Sequence, residues 1–187
     1  PCRFFVEDDL ARFGVMLEMP HEFENIEYFG LGEYENLPDF KAQSRVGIYT
    51  TTVDEMHEPY IMPQDNGNRY DTEFAALTAP GKGGLLICGG RFNFSALEYT
   101  QEDIEKAQHN YELEPCGKTV LCIDGAVSGV GSHSCGPDLL PKYQVPKEFS
   151  FEFTLRGLKE GEDVVEASDR EYDNSGVYDI HQLQFRL

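Results

Sequence analysis

Basic residues are scarce in this 187-residue chain: 15 Lys and Arg stand against 34 Asp and Glu, a formal charge of −19. Such a field repels a phosphate backbone or an anionic bilayer surface, so neither nucleic acid nor a membrane is expected as a partner. Long apolar runs are missing as well. The stretch 83–90 is among the longest and falls far short of the roughly 20 residues that cross a bilayer as a helix, so a water-soluble protein is expected. There is no C-x-x-C pair, and the five cysteines form an odd set, which argues against a disulfide-stapled scaffold and for a reducing compartment. The cytoplasm is the expected location, with the periplasm as the alternative. No charged segment followed by an apolar one comes after Pro1, so neither a native start nor a signal peptide is visible, and the chain reads as a fragment or a processed piece. Tryptophan is absent, yet 13 Phe and 10 Tyr supply more core-forming material than an intrinsically disordered chain carries. A chain of this length is about one domain, and on folding it buries roughly 70% of its extended surface.

What is present is short and alternating. Over residues 12–19, Phe13, Val15, Leu17 and Met19 recur at period two, the signature of a half-buried strand. Similar segments follow at 26–29, 46–51, 70–77, 85–88, 120–123 and 149–155, mostly separated by Gly, Pro, Asn or Asp. One helix is expected, over 101–111, with Thr100 as its cap, Asp103 three residues on, and Ile104, Ala107 and Tyr111 on one face. Many short strands without alternating helices predict a mainly β protein, an antiparallel β-sandwich with one short helix. The stretch 157–176 is acidic and poor in apolar residues, which predicts a mobile loop or linker. A last strand is expected over 177–187, with Leu183, Phe185 and Leu187 on one face, at an edge or in an extension.

Residues 123–137 form the busiest stretch, a glycine-rich connection leaving a buried strand. Its spacing matches neither a P-loop nor a dinucleotide fingerprint, and Pro137 blocks the helix start that would cradle phosphate. His133 and Cys135 have the types of a base and a thiol nucleophile, but residues two apart on an extended chain are not aimed at each other, and no third orienting group is identifiable. With Cys116 and Cys122 the same pair gives the spacing C-x5-C-x10-H-x-C, which lacks the short knuckles of structural zinc sites. Glu33 with Glu35 and Asp71 with Glu73 lie at strand spacing, a common chance pattern among so many acids. A retaining glycosidase needs two carboxylates about 5 Å apart across a sugar, and nothing nominates them here. His21-Glu22 and His57-Glu58 have the look of solvated turn residues. Asp65-Asn66-Gly67-Asn68 reads first as a hairpin turn and second as a calcium loop. No catalytic residue and no metal site are assigned.

The residues themselves go further. Residues 28–39, Y-F-G-L-G-E-Y-E-N-L-P-D, resemble the W-x-G-x-G-P-x-E-N-Y-x-D block of the large bacterial β-galactosidases. In the same order come 60–67, Y-I-M-P-Q-D-N-G, similar to their Y-x-x-P-x-E-N-G block; then Phe92-Asn93-Phe94-Ser95; then Ile123-Asp124-Gly125 with Gly129-Val130-Gly131. The resemblance covers about residues 11–158. It corresponds to the C-terminal part of the enzyme's last domain, the small-chain or domain-five region of glycoside hydrolase family two.

That resemblance implies a β-supersandwich related in shape to galactose mutarotases, standing as a non-catalytic module at the end of a multidomain lactose-hydrolysing enzyme. Residues 1–158 would be the module, 159–176 a linker and 177–187 a terminal strand. The implied partners are the remaining domains or large subunit, the galactoside substrate and further copies of the full enzyme. Family enzymes use magnesium and sodium, with the catalytic glutamates and the magnesium in the barrel domain, so no cofactor is expected in this chain. The glycine-rich loop of the family completes the sugar pocket, which points to His133, Ser134 and Cys135. The best-known member carries a tryptophan after the serine that matches Ser134; Cys135 offers no such π-face, and the bland role for it is a small packing residue. Two other classes stay open: a free-standing carbohydrate-binding module, and a mutarotase-like aldose epimerase using His57 or His133 with a nearby carboxylate.

Overall fold

Period-two alternation along the chain resolves into two antiparallel sheets that share one core. The computed structural model describes residues 2–3, 10–131 and 138–169. His133, Ser134, Cys135 and the strand expected at 177–187 lie outside the described residues.

The first sheet has five strands in the order β11 (Thr154–Leu158), β7 (Gly84–Cys88), β6 (Phe74–Thr78), β3 (Asn25–Gly32) and β4 (Arg45–Thr52). The second has four, β2 (Arg12–Pro20), β9 (Lys118–Val127), β8 (Phe92–Leu97) and β5 (Arg69–Thr72). A two-residue pair, β1 (Cys2–Arg3) with β10 (Glu148–Phe149), stands apart. Alternate side chains of the two large sheets meet: Ile26 and Tyr28 of β3, Leu77 of β6 and Ile87 of β7 pack with Phe94 of β8 and Leu121 and Ile123 of β9. Each such side chain contributes about 1.5–3 kcal/mol when fully buried. The intervening residues of β6 and β7, Phe74, Ala76, Leu86 and Cys88, face outward and are covered by Val164 and Ala167 of a short helix, α3 (Val164–Ser168). The antiparallel sandwich predicted from the sequence is therefore what forms.

Several elements differ from the sequence reading. The helix expected over 101–111 is α2 (Gln101–Lys106), which begins with the expected Thr100–Asp103 capping box and ends with Ala107 extended. Beyond it the Gln108 and His109 amides donate to the Glu112 carboxylate, which replaces the helical hydrogen bonds, and Tyr111 is exposed. Two further helices join it. α1 (Val53–Met56) is capped by Thr52 and Glu55 and buries Val53 and Met56. α3, capped by Asp163, sits inside the acidic stretch expected to be a loop, because Val164 and Ala167 find an apolar sheet face to cover.

The segment 70–77 is two strands in different sheets; Asp71 turns the chain in the left-handed region, φ 59°. The segment 149–155 likewise divides between β10 and β11. β8 shows no alternation, because all six of its residues are buried, Asn93 and Ser95 included.

Candidate functional site at the loop end of the sandwich

The loops after β3, before β5 and after β9 meet at one end of the sandwich. Polar groups, most of them buried, tie them together. Asn36 is fully buried and fully used: its amide donates to the Leu31 and Tyr34 carbonyls at 3.0 and 2.8 Å, and its oxygen accepts from the Tyr70 N–H at 2.7 Å. Its backbone N–H donates to the Asn68 carbonyl at 3.0 Å, and the Asn68 amide returns a bond to the Asn36 carbonyl at 2.8 Å. Next to it Glu35 is also buried. One carboxylate oxygen accepts from the Gly67 N–H at 2.9 Å, the other from the Tyr60 hydroxyl. Burial raises the Glu35 pKa, opposed by those two donors, and burial next to this carboxylate raises that of the Tyr60 hydroxyl.

Asp65-Asn66-Gly67-Asn68 is thus not a hairpin turn. It connects α1 to β5, with Asn66 accepting from the Glu58 N–H at 3.0 Å and donating to the Gln64 carbonyl at 2.9 Å. Gly67 has φ 76°, and a Cβ there would stand 2.8 Å from the Met56 carbonyl oxygen, so glycine is required twice over.

A second tie is ionic. Arg12, the first residue of β2, reaches Asp124 of β9 with Nε and Nη2 at 3.1 and 2.6 Å, and Asp65 with Nη1 at 2.9 Å. Burial pushes the Asp124 carboxyl up to about 6 against the pull of Arg12. The Arg12 guanidinium, burial notwithstanding, is held more firmly protonated by Asp124 and Asp65. Asn93 links the same carboxylate residue to β5: its amide donates to the Asp124 carbonyl at 3.2 Å and its oxygen accepts from the Asp71 N–H at 3.2 Å.

The third tie reaches the glycine-rich segment. Asp39 accepts from the Val130 N–H at 2.9 Å with one oxygen and from the Gly131 N–H at 3.0 Å with the other. Gly129 lets this happen, since a Cβ there would lie 2.5 Å from the Asp39 carboxyl. Beside the anchored turn a cleft of about 240 Å³ opens between Tyr70, Asp71, Arg91, Asn93, Lys142 and Tyr143. Both tyrosine faces already carry a cation, Lys41 at 4.3 Å from the Tyr70 ring centre and Lys142 at 4.5 Å from that of Tyr143.

The other sequence candidates are dispersed. Glu33 is exposed while Glu35 is buried, so they do not form a facing pair. Asp71 and Glu73 both pair with Arg91. His21 Nδ1 meets Glu98 at 3.2 Å, and His57 Nε2 lies 3.0 Å from the Asn110 side-chain oxygen with its ring against Tyr99. Burial pushes the Cys122 thiol up to about 11, the wrong direction for a nucleophile, whereas Cys116 is exposed. Among the described residues no group of three or more His, Cys, Asp and Glu could hold a metal ion, and no helix is long and apolar enough to cross a membrane. Arg12, Asp39 and Asn93 are the residues that sequence reasoning missed as a site; the only signal for the last two was that they sit inside the recognised blocks.

Four sequence blocks converging on one end of an antiparallel sandwich, tied by the buried Glu35, Asn36, Asn93 and Asp124 and by the exposed Asp39, define a module that presents an anchored set of loops. The family described as β-galactosidase small chain matches residues 2–155, and the chain belongs to it. Curated relatives agree. The chain is 37% identical over 148 residues to the β-galactosidase of Actinobacillus pleuropneumoniae, covering 78% of this chain and 14% of that protein. It is 38% identical over 155 residues to that of Vibrio cholerae, covering 79% and 14%, and 34% identical over 149 residues to that of Kluyveromyces lactis, again 79% and 14%. The matched region is therefore a small part of each relative's length.

Proposed function

We propose that the chain is the C-terminal, non-catalytic module of a β-galactosidase and serves the hydrolysis of terminal non-reducing β-D-galactose residues, as in lactose breakdown. The bond is broken by carboxylates in the remaining domains or in a partner chain. The observation that carries this reading is the family match over residues 2–155, combined with coverage of only 14% of the relatives. On this reading the full enzyme is a cytoplasmic homo-oligomer, and its magnesium and sodium belong to other domains, the magnesium to the barrel.

The module's part is positional. Asp39 fixes the Val130 and Gly131 amides. On this reading the glycine-rich segment that follows, with His133, Ser134 and Cys135, completes the sugar pocket. Cys135 brings no aromatic platform. Replacing it with Trp in the complete enzyme is expected to change KM for galactosides a few-fold to about tenfold, since an aromatic platform is worth on the order of 1 kcal/mol beyond its buried area. Cys135→Ala and Cys135→Ser are expected to matter little. Thermal unfolding of each variant separates binding from stability. If Cys135→Trp leaves KM and kcat unchanged in a folded enzyme, the loop does not reach the substrate.

A further inference from the structure

The cleft of about 240 Å³ beside the anchored turn carries a surplus of positive charge in a chain whose formal charge is −19. Among the described residues that line it Asp71 is the one carboxylate, and Arg91 takes it at 3.0 Å while also pairing with Glu73. Two lysines remain. Lys142 lines the cleft, Lys41 stands over the ring of Tyr70 in its wall, and neither meets a carboxylate among the described residues. By contrast Lys82, Lys106 and Lys118 each find a glutamate, Glu22, Glu102 and Glu18. The two ammonium groups are also held in place, at 4.3 Å from the Tyr70 ring centre and 4.5 Å from that of Tyr143, so part of the freedom a lysine gives up on gripping a ligand is already lost.

We propose that this cleft binds a compact oxyanion, a phosphate group either free or carried on a small sugar, gripped by Lys41 and Lys142. Its volume suits a small group, being below the roughly 300–1,000 Å³ of sites for drug-sized ligands. A neutral sugar would look for a bare aromatic face, and each of these tyrosine rings already carries an ammonium. Asn93, the buried polar side chain in the wall, is used up: its amide serves the Asp124 carbonyl and its oxygen the Asp71 N–H. Selection therefore falls to the cations. The hold is by side-chain charge, so it needs neither a P-loop nor a helix start. Because the chain as a whole repels anions, the attraction acts at contact and weakens with salt. The site also touches the glycine-rich turn, since the Tyr143 carbonyl accepts from the Gly129 N–H at 2.8 Å. The inference is independent of the enzymatic reading above.

Amide chemical shifts of the full chain, followed while inorganic phosphate replaces potassium chloride at constant ionic strength, test it. Saturable shifts are expected at Tyr70, Lys142 and Tyr143 and, through its bond to the Tyr143 carbonyl, at Gly129, with β3 and β6 unmoved. Lys41→Met combined with Lys142→Met is expected to weaken phosphate binding about tenfold or more, whereas Lys41→Arg combined with Lys142→Arg keeps the charges and most of the affinity. Galactose 6-phosphate separates the two sources: tighter binding than phosphate assigns a sugar-borne group, and equal or weaker binding assigns the free ion. The proposal is overturned if the cleft amides do not saturate with phosphate, if chloride moves them equally, if galactose alone binds as tightly as its phosphate, or if the double methionine variant binds phosphate as the wild type does.

Discussion

The Gly67 N–H donates to one carboxylate oxygen of Glu35 at 2.9 Å, across 32 residues of sequence, while the Tyr60 hydroxyl donates to the other. This carboxylate joins the first recognised block to the second and is buried, so each of its oxygens needs its donor. Tyr60→Phe keeps the ring and removes one donor. The variant is expected to lose about 1–3 kcal/mol at neutral pH, read from denaturant unfolding. The loss should shrink in acid, because protonation removes the charge that wants the bond; an unchanged midpoint at neutral pH would mean that the tie contributes nothing.

Arg12 carries the second tie, and the asymmetry of buried ion pairs sets the prediction. Arg12→Met leaves Asp124 buried without its counter-charge and is expected to cost about 3–5 kcal/mol, measured by thermal or denaturant unfolding. A loss below about 1 kcal/mol, the size of a surface pair, would contradict the buried geometry.

Asp124 gives a pH signature with a definite sign. Its folded pKa of about 6 lies above the unfolded value of about 3.9, so the native state holds the proton more tightly. The stability this adds is complete below about pH 4 and lost as pH rises through about 6. Asp124→Asn cannot titrate. The wild type is therefore expected to lose on the order of 2–3 kcal/mol relative to the variant between those limits. A difference between the two that does not change with pH would show that Asp124 has the same pKa folded and unfolded, and a wild type that gains on the variant as pH rises would show a lowered folded pKa.

Asp39 offers a test of the anchored turn. Asp39→Ala removes both acceptors for the Val130 and Gly131 amides and is expected to cost about 1–2 kcal/mol, with faster exchange at those two amides and unchanged exchange in β9. Asp39→Asn, which keeps one acceptor oxygen, should fall between. Equal exchange in all three proteins would mean that other contacts hold the turn.

The sandwich was legible because its strands have one wet and one dry face. Phe13, Val15, Leu17 and Met19 alternate, and β2 (Arg12–Pro20) forms where they predict it. β8 was not legible for the opposite reason: Asn93 and Ser95 are inside, Asn93 because it serves the Asp124 carbonyl and the Asp71 N–H. α3 was hidden by composition, since an acidic stretch becomes a helix only where Val164 and Ala167 meet a sheet that comes from elsewhere in the chain. At the site, the blocks could be read one by one, but their pairing could not. Asp39 and Val130 are 91 residues apart, and only the closed sandwich brings them together.

The central claim, that this chain serves a galactosidase without doing the chemistry, is tested most directly by turnover of a chromogenic β-galactoside. The assay compares the purified chain alone, the remainder of the enzyme lacking this module, and the two mixed. No turnover is expected from the chain alone, and more turnover from the mixture than from the remainder. Turnover by the chain alone that survives repeated purification would contradict it.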